Sequence, residues 1–238
     1  MAEHIDLGDI RVEVQRKNNK HAHLYVYPPE GRVHISAPMH MGLDALRAFV
    51  ISRLGWIKAQ QRQMRAQPRE PEREYLNRES HQVWGKRYLL EMVEVDAPPT
   101  VELKHSTLVL QLRPGSDEAR RQEILESWYR EQLRAKLPVL LEKWQSLIGV
   151  KVRHIFLQRM KTRWGGCNPT TGNIRLNTEL AKKPPECLEY VLVHELVHLI
   201  EPTHNTRFLA LLDGSIPHWR QIKDELNRLP VRHEEWDH

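Results

Sequence analysis

The stretch HELVHLIEPTH, residues 194–204, decides how the rest of the chain is read. A helix turns about 100° and rises about 1.5 Å per residue, so positions four apart share a face. His194 and His198 therefore present ring nitrogens to one ion, and Glu195 adjoins the first of them, within reach of a water held there. That is the chemical reason why His-Glu-x-x-His marks zinc hydrolases. A catalytic zinc takes a third protein ligand, which must come from off the two-histidine face. Pro202 disfavours helical geometry at Glu201, so the helix is expected to stop there and the chain to turn back with His204.

The resulting spacing, H-E-x-x-H-x5-H, is the three-histidine arrangement of metzincins, with Glu201 standing where that longer motif has glycine. Rival third ligands are Glu201 itself and, on the last helix, Asp224 or Glu225. The plain alternative is a helix that happens to carry histidines. Against it stand the flanks Val191, Leu192, Val193, Leu196, Val197 and Leu199. A helix apolar nearly all round is a buried one, and burying two imidazoles and a carboxylate in it without a partner is costly.

The remainder of the chain is consistent with an ordinary globular protein of 238 residues, 40% hydrophobic and 28% charged, with a formal charge of +5. The positive excess is spread along both halves, so no tail reads as a nucleic-acid arm. Two cysteines, Cys167 and Cys187, build no disulfide framework and no CxxC ribbon. The N-terminal twenty residues lack the apolar segment of a secretory signal, and no run approaches the length that spans a membrane. A cytoplasmic setting without a membrane partner is the expectation; the oligomeric state is not legible.

Along the chain, "HAHLYVYPPEGRVHISAP" alternates as two strands around a turn. Leu43, Leu46, Phe49, Val50, Leu54 and Ile57 then recur at helical spacing, predicting one helix over 43–65. "AQPREPERE", residues 66–74, is a connector and a candidate boundary. Residues 81–113 alternate as three or four strands. Asp117 opens a helix expected to run to Ile148, with Pro138 kinking or dividing it. "VRHIFLQ" reads as a strand, and "RWGGCNPTTGNIRLN" as a tight hairpin. The histidine helix is expected over about 186–200, a last helix over about 217–228, and "PVRHEEWDH" as a loose tail. His21 and His23 share a strand face but lack a third ligand. His233 and His238 lie too far apart in angle to share a helix face.

These residues resemble the YgjP-like metallopeptidase family, whose pattern has R-W-G-S-C, a hairpin ending in L-N, the zinc helix, a third His followed by Phe, and a late Trp. The counterparts here are Arg163, Trp164, Gly165, Cys167, Leu176, Asn177, His204, Phe208 and Trp219, with Gly166 where Ser is usual. The likeness extends to the N-terminal hairpin and "FVISRLGWI". It implies a zincin-like fold related to SprT-like and WLM proteases, relatives that include enzymes degrading proteins crosslinked to DNA. The expected fold class is thus α+β: a zincin-like metallopeptidase with a C-terminal HExxH helix and a β-rich N-terminal part. The expected regions are 1–115, β-rich with one helix, and 116–238, catalytic.

The expected function is hydrolysis of peptide bonds in a polypeptide, with one Zn²⁺ per chain on His194, His198 and His204 and with Glu195 as general base. Arg163 and Asn177 are candidate donors to the carbonyl oxygen. Trp164 is either a core aromatic or a substrate platform. Gly165 and Gly166 either let a substrate backbone approach or make a structural turn. Cys167 is either a buried thiol or an inhibitory ligand. Lys151, Arg153, Arg159, Lys161 and Arg163 carry five positive charges without an acid among them. They make nucleic acid a candidate partner. A nucleic-acid-associated zinc protein, or a binding module with a relic site, is the alternative function.

Overall fold

The structure, a computed structural model, describes residues 3–27, 31–66, 74–160 and 163–229. They belong to two compact units, one spanning Met1–Glu70 and the other Pro71–Arg232. The boundary falls in the Pro-rich connector. The strands of residues 80–112 therefore go with the histidine helix in the second unit, unlike the division at 115/116 expected above. The tail from Pro230 onward, and Lys161, lie outside the described residues.

In the first unit, strands β1 (Glu3–Leu7), β2 (Ile10–Lys17), β3 (His23–Tyr27) and β4 (Arg32–Pro38) form a sheet in the order β1-β2-β4-β3. The β3–β4 pair is the expected hairpin. The β1–β2 pair was not anticipated, although Ile10, Val12 and Val14 alternate and are all buried. Gly8, at φ +67°, makes its tight turn. Leu46, Val50 and Ile57 complete this core from α1 (Leu43–Ser52) and α2 (Leu54–Ala66). The single helix expected over 43–65 is broken at Arg53. Ser52 Oγ donates to the Phe49 carbonyl at 2.7 Å, a local bond that competes with the helix ladder.

The second unit opens with β5 (Ser80–Val83), β6 (Lys86–Glu94), β7 (Thr100–Lys104) and β8 (Thr107–Leu112), ordered β5-β6-β8-β7. Helix α3 (Glu118–Ile148) follows. Asp117 caps its start by accepting from the Arg120 N–H at 2.8 Å, and Gly149 ends it in the left-handed conformation. Of the two outcomes expected at Pro138, division does not occur: the helix runs through it. Buried Leu133, Leu137 and Trp144 on both sides anchor it, outweighing a proline cost of about 3 kcal/mol.

A second sheet, ordered β10-β11-β9, consists of β9 (His154–Gln158), β10 (Gly165–Asn168) and β11 (Asn173–Asn177). β10 and β11 are the expected antiparallel hairpin, β11 runs parallel to β9, and β10 is left at an edge. After a 3-10 turn (Thr178–Lys182) come α4 (Pro185–Val197), α5 (Thr206–Ser215) and α6 (Trp219–Arg228). Leu188, Leu192 and Leu196 of α4 join Leu133, Ile174 and Phe208 in one core. The fold is mixed α+β. Among the described residues no helix is long and apolar enough to cross a membrane.

Candidate metal centre

Helix α4 starts well because Pro185 occupies its first turn, where a missing N–H costs nothing. It is surrounded: Val191, Leu192, Val193, Leu196 and Val197 are all buried. Its C-terminal end tightens, with the Leu199 and Ile200 N–H groups reaching the Leu196 and Val197 carbonyls at 3.1 and 3.0 Å. The helix therefore stops at Val197, earlier than expected, and His198 is its cap residue. The chain bends through Pro202 and re-enters helix at α5, whose cap Asn205 accepts from the Phe208 N–H at 3.0 Å. Helix α5 was not foreseen, although Asn205 standing three residues before Phe208 is a readable cap signal.

That bend brings His204 onto the other two histidines. His204 Nε2 lies 3.1 Å from His198 Nε2 and 3.1 Å from His194 Nε2. One ligand atom from each lies within 4.8 Å of the others. Phe208, 1% exposed, lies against all three rings, with centroid distances of 5.0, 4.6 and 4.7 Å to His194, His198 and His204. Tyr190, one turn before His194, meets that ring edge-on and stacks on Trp219 of α6.

The three imidazoles fit a metal ion. Burial, then the neighbouring His198 and His204 and the Lys223 charge, push His194 down to about 3. Burial lowers His198 and His204 as well. All three are thus neutral near pH 7 and carry a lone pair. His198 Nδ1 stands 3.1 Å from the Glu201 carbonyl, so it carries the proton and leaves Nε2 as a ligand atom. Three neutral imidazoles whose ring nitrogens converge in this way are the donor set that a shared cation would take. Nitrogens about 2.0–2.1 Å from a tetrahedral zinc stand roughly 3.3 Å apart, close to what is seen.

Glu195 is only 5% exposed. Burial raises its carboxyl to about 8, against the opposing pull of the Arg163 charge. Of the rival ligands, Glu201 spends its carboxylate on Thr203, and neither Asp224 nor Glu225 joins the three histidines among the described residues.

The hairpin residues divide. Gly165 is pressed against α4: a Cβ there would stand 2.6 Å from Glu195 Oε1, 2.9 Å from Glu195 Cγ and 2.9 Å from Val191 Cγ1. The glycine admits the glutamate's own helix rather than a substrate. Gly166 has nothing within 4 Å of its missing Cβ, so space beside it is open. Asn177 is corrected as an oxyanion donor. Both hydrogens of its amide are used, on the Met160 and Arg163 carbonyls at 2.7 and 2.9 Å, so the side chain holds these two residues. Trp164 is half-buried against the core, with Lys183 Nζ 5.8 Å from its ring. Burial, then the Glu195 charge, raises the Cys167 thiol to about 11, and among the described residues the candidate ligand group is the three histidines without Cys167. In the basic stretch, Arg159 pairs with Glu126 at 3.6 Å, while the Arg163 charge is felt at Glu195.

A mixed α+β unit holding a buried glutamate beside three convergent histidines is the class of site a metallopeptidase carries. A family model described as YgjP-like, metallopeptidase domain, matches residues 22–229. The chain belongs to the YgjP-like metallopeptidase family. A crystal structure of the metallopeptidase zymogen abylysin from Pyrococcus abyssi is similar at 24% identity, covering 40% of this chain and 98% of that one, with a TM-score of 0.36. No curated protein matches.

Proposed function

We propose that the chain is a zinc-dependent peptidase of the zincin type, holding one Zn²⁺ on His194, His198 and His204 and cleaving peptide bonds of polypeptide substrates. The observation that carries this is the meeting of three ring nitrogens at 3.1 Å beside the buried Glu195. The ion, when bound, supplies Lewis acidity toward the scissile carbonyl and makes water a better nucleophile. The chain's own residues do the rest. Glu195 Oε takes a proton from the attacking water as the water oxygen bonds to the carbonyl carbon. The same carboxyl then gives that proton to the amide nitrogen as the C–N bond breaks. Edge strand β10, open at Gly166, supports pairing with an extended substrate backbone. Arg163, exposed and near Glu195, is the remaining side-chain candidate for the carbonyl oxygen.

The test is metal content with hydrolysis of an unfolded protein. Glu195→Gln is expected to keep one metal per chain and lose about 10²-fold or more in kcat/KM. Wild-type chain that loads no metal sinks the reading. Full loading without cleavage of any unfolded protein, with or without single-stranded DNA, supports a binding module with a relic site instead. The nucleic-acid alternative rests on exposed Lys151, Arg153 and Arg163. It predicts DNA binding that weakens steeply with salt and survives Glu195→Gln.

A further inference from the structure

The bend between the two ligand-bearing segments is built by a residue outside the ligand set. After His198 the chain must reverse within five residues to deliver His204. A glycine would achieve this through backbone freedom; Glu201 stands there instead and binds in both directions. Backward, its carbonyl oxygen accepts from His198 Nδ1 at 3.1 Å, which sets that ring's orientation and its tautomer. Forward, its Oε1 accepts from the Thr203 hydroxyl at 2.9 Å and from the Thr203 N–H at 3.3 Å. Thr203 Oγ1 in turn accepts from Asn205 Nδ2 at 3.2 Å, and Asn205 caps α5 through its Oδ1. His204 lies between Thr203 and Asn205, so both of its chain neighbours are held.

We infer that Glu201 is a positioning residue for the metal centre: its carboxylate, acting through Thr203 and Asn205, holds the bend that brings His204 to the other two histidines. The inference rests on the proposed metal site. It assigns Glu201 a different task from that of a ligand. Its carboxylate is turned to Thr203, and among the described residues the candidate ligand group is the three histidines alone. Pro202 cooperates by restricting φ within the bend, and the Glu201 side chain ties the second half of the bend to Thr203. The His198–carbonyl bond is made by backbone and survives substitution, so changing the side chain isolates the forward half.

The experiment is competition of the full-length chain with a chromogenic chelator for Zn²⁺, together with the visible spectrum of the Co²⁺-loaded protein. Glu201→Ala and Thr203→Val are expected to weaken metal binding about 10- to 100-fold and to alter the cobalt bands. Glu201→Gln keeps an Oε1 that accepts from Thr203, so it is expected to restore affinity to within a few-fold of wild type. A purely structural role would move the melting temperature of the metal-free chain and leave the cobalt bands unchanged. Glu201→Ala binding zinc as tightly as wild type, with the same cobalt spectrum, overturns the inference; so does Glu201→Gln as weak as Glu201→Ala. Should Glu201→Ala fail to fold, Thr203→Val and Glu201→Gln still decide the matter. Wild-type chain that binds neither metal defeats the functional proposal itself, an outcome separate from equal affinities of wild type and variant.

Discussion

Replacing Gly165 by alanine adds one methyl group where the hairpin crosses the histidine-bearing helix α4. That methyl would stand 2.9 Å from both Glu195 Cγ and Val191 Cγ1, and 2.6 Å from Glu195 Oε1. Carbon atoms settle at about 3.5–4.0 Å, so two of these contacts must open by at least roughly 0.6 Å. Val191 is buried in the core and has little room to retreat. Glu195 has the freer end, but its movement is itself the damage. Overpacking of this kind costs about 1–3 kcal/mol, which for a chain of this size lowers the melting temperature by roughly 2–12 °C. With Glu195 as the proposed general base, a displacement of about 1 Å is expected to cost on the order of 10²-fold in rate. The assay is kcat/KM on an unfolded protein alongside melting temperature and metal content. Metal content is expected to hold, since the close contacts are to Glu195 and Val191 and not to a histidine. Gly166→Ser, on the opposite strand face and meeting nothing within 4 Å, is the control and is expected to shift stability by less than about 0.5 kcal/mol. Gly165→Ala with wild-type melting temperature and wild-type kcat/KM would refute the close-packing argument.

Phe208→Ala removes a fully buried ring lying against all three histidines. It is expected to cost about 3–5 kcal/mol by chemical denaturation and to weaken zinc binding in a chelator competition. Glu189 provides a pH test. Burial alone would raise its carboxyl, but bonds from Lys143 Nζ at 2.7 Å and Trp144 Nε1 at 2.8 Å outweigh it and hold the group below its ordinary 4.5. A carboxyl depressed in the folded state contributes stability above its ordinary value and loses it as pH falls through the folded one. The melting temperature of Glu189→Gln should therefore fall below wild type at pH 7 and converge on it below about pH 4.5; a constant gap across that range would contradict the account.

Much of the metal centre was legible because its parts lie within eleven residues, where helix geometry and one proline determine which side chains meet. The strands of residues 81–113, the hairpin and the long third helix were legible for the same reason: each repeats a local period. That α3 runs on undivided through Pro138 was not legible, because the cost of the proline is local while the packing of Leu133, Leu137 and Trp144 that offsets it is not. The strand pair at the N-terminus alternates plainly at Ile10, Val12 and Val14. It went unread because its first arm, EHIDL, is short and mostly polar.

What the sequence by itself determined is the donor set: which side chains carry imidazole and carboxylate, and at what spacing along a helix that must end before Pro202. Only the tertiary structure decided what those groups experience. Glu195 is a raised, buried carboxyl because β10 closes over it at Gly165, thirty positions earlier. Asn177 is a tie rather than an oxyanion donor because the Met160 and Arg163 carbonyls take both hydrogens of its amide. Spacing along a chain is local, whereas desolvation and close packing come from residues far apart in sequence, so the chemistry could be read in order but its tuning could not.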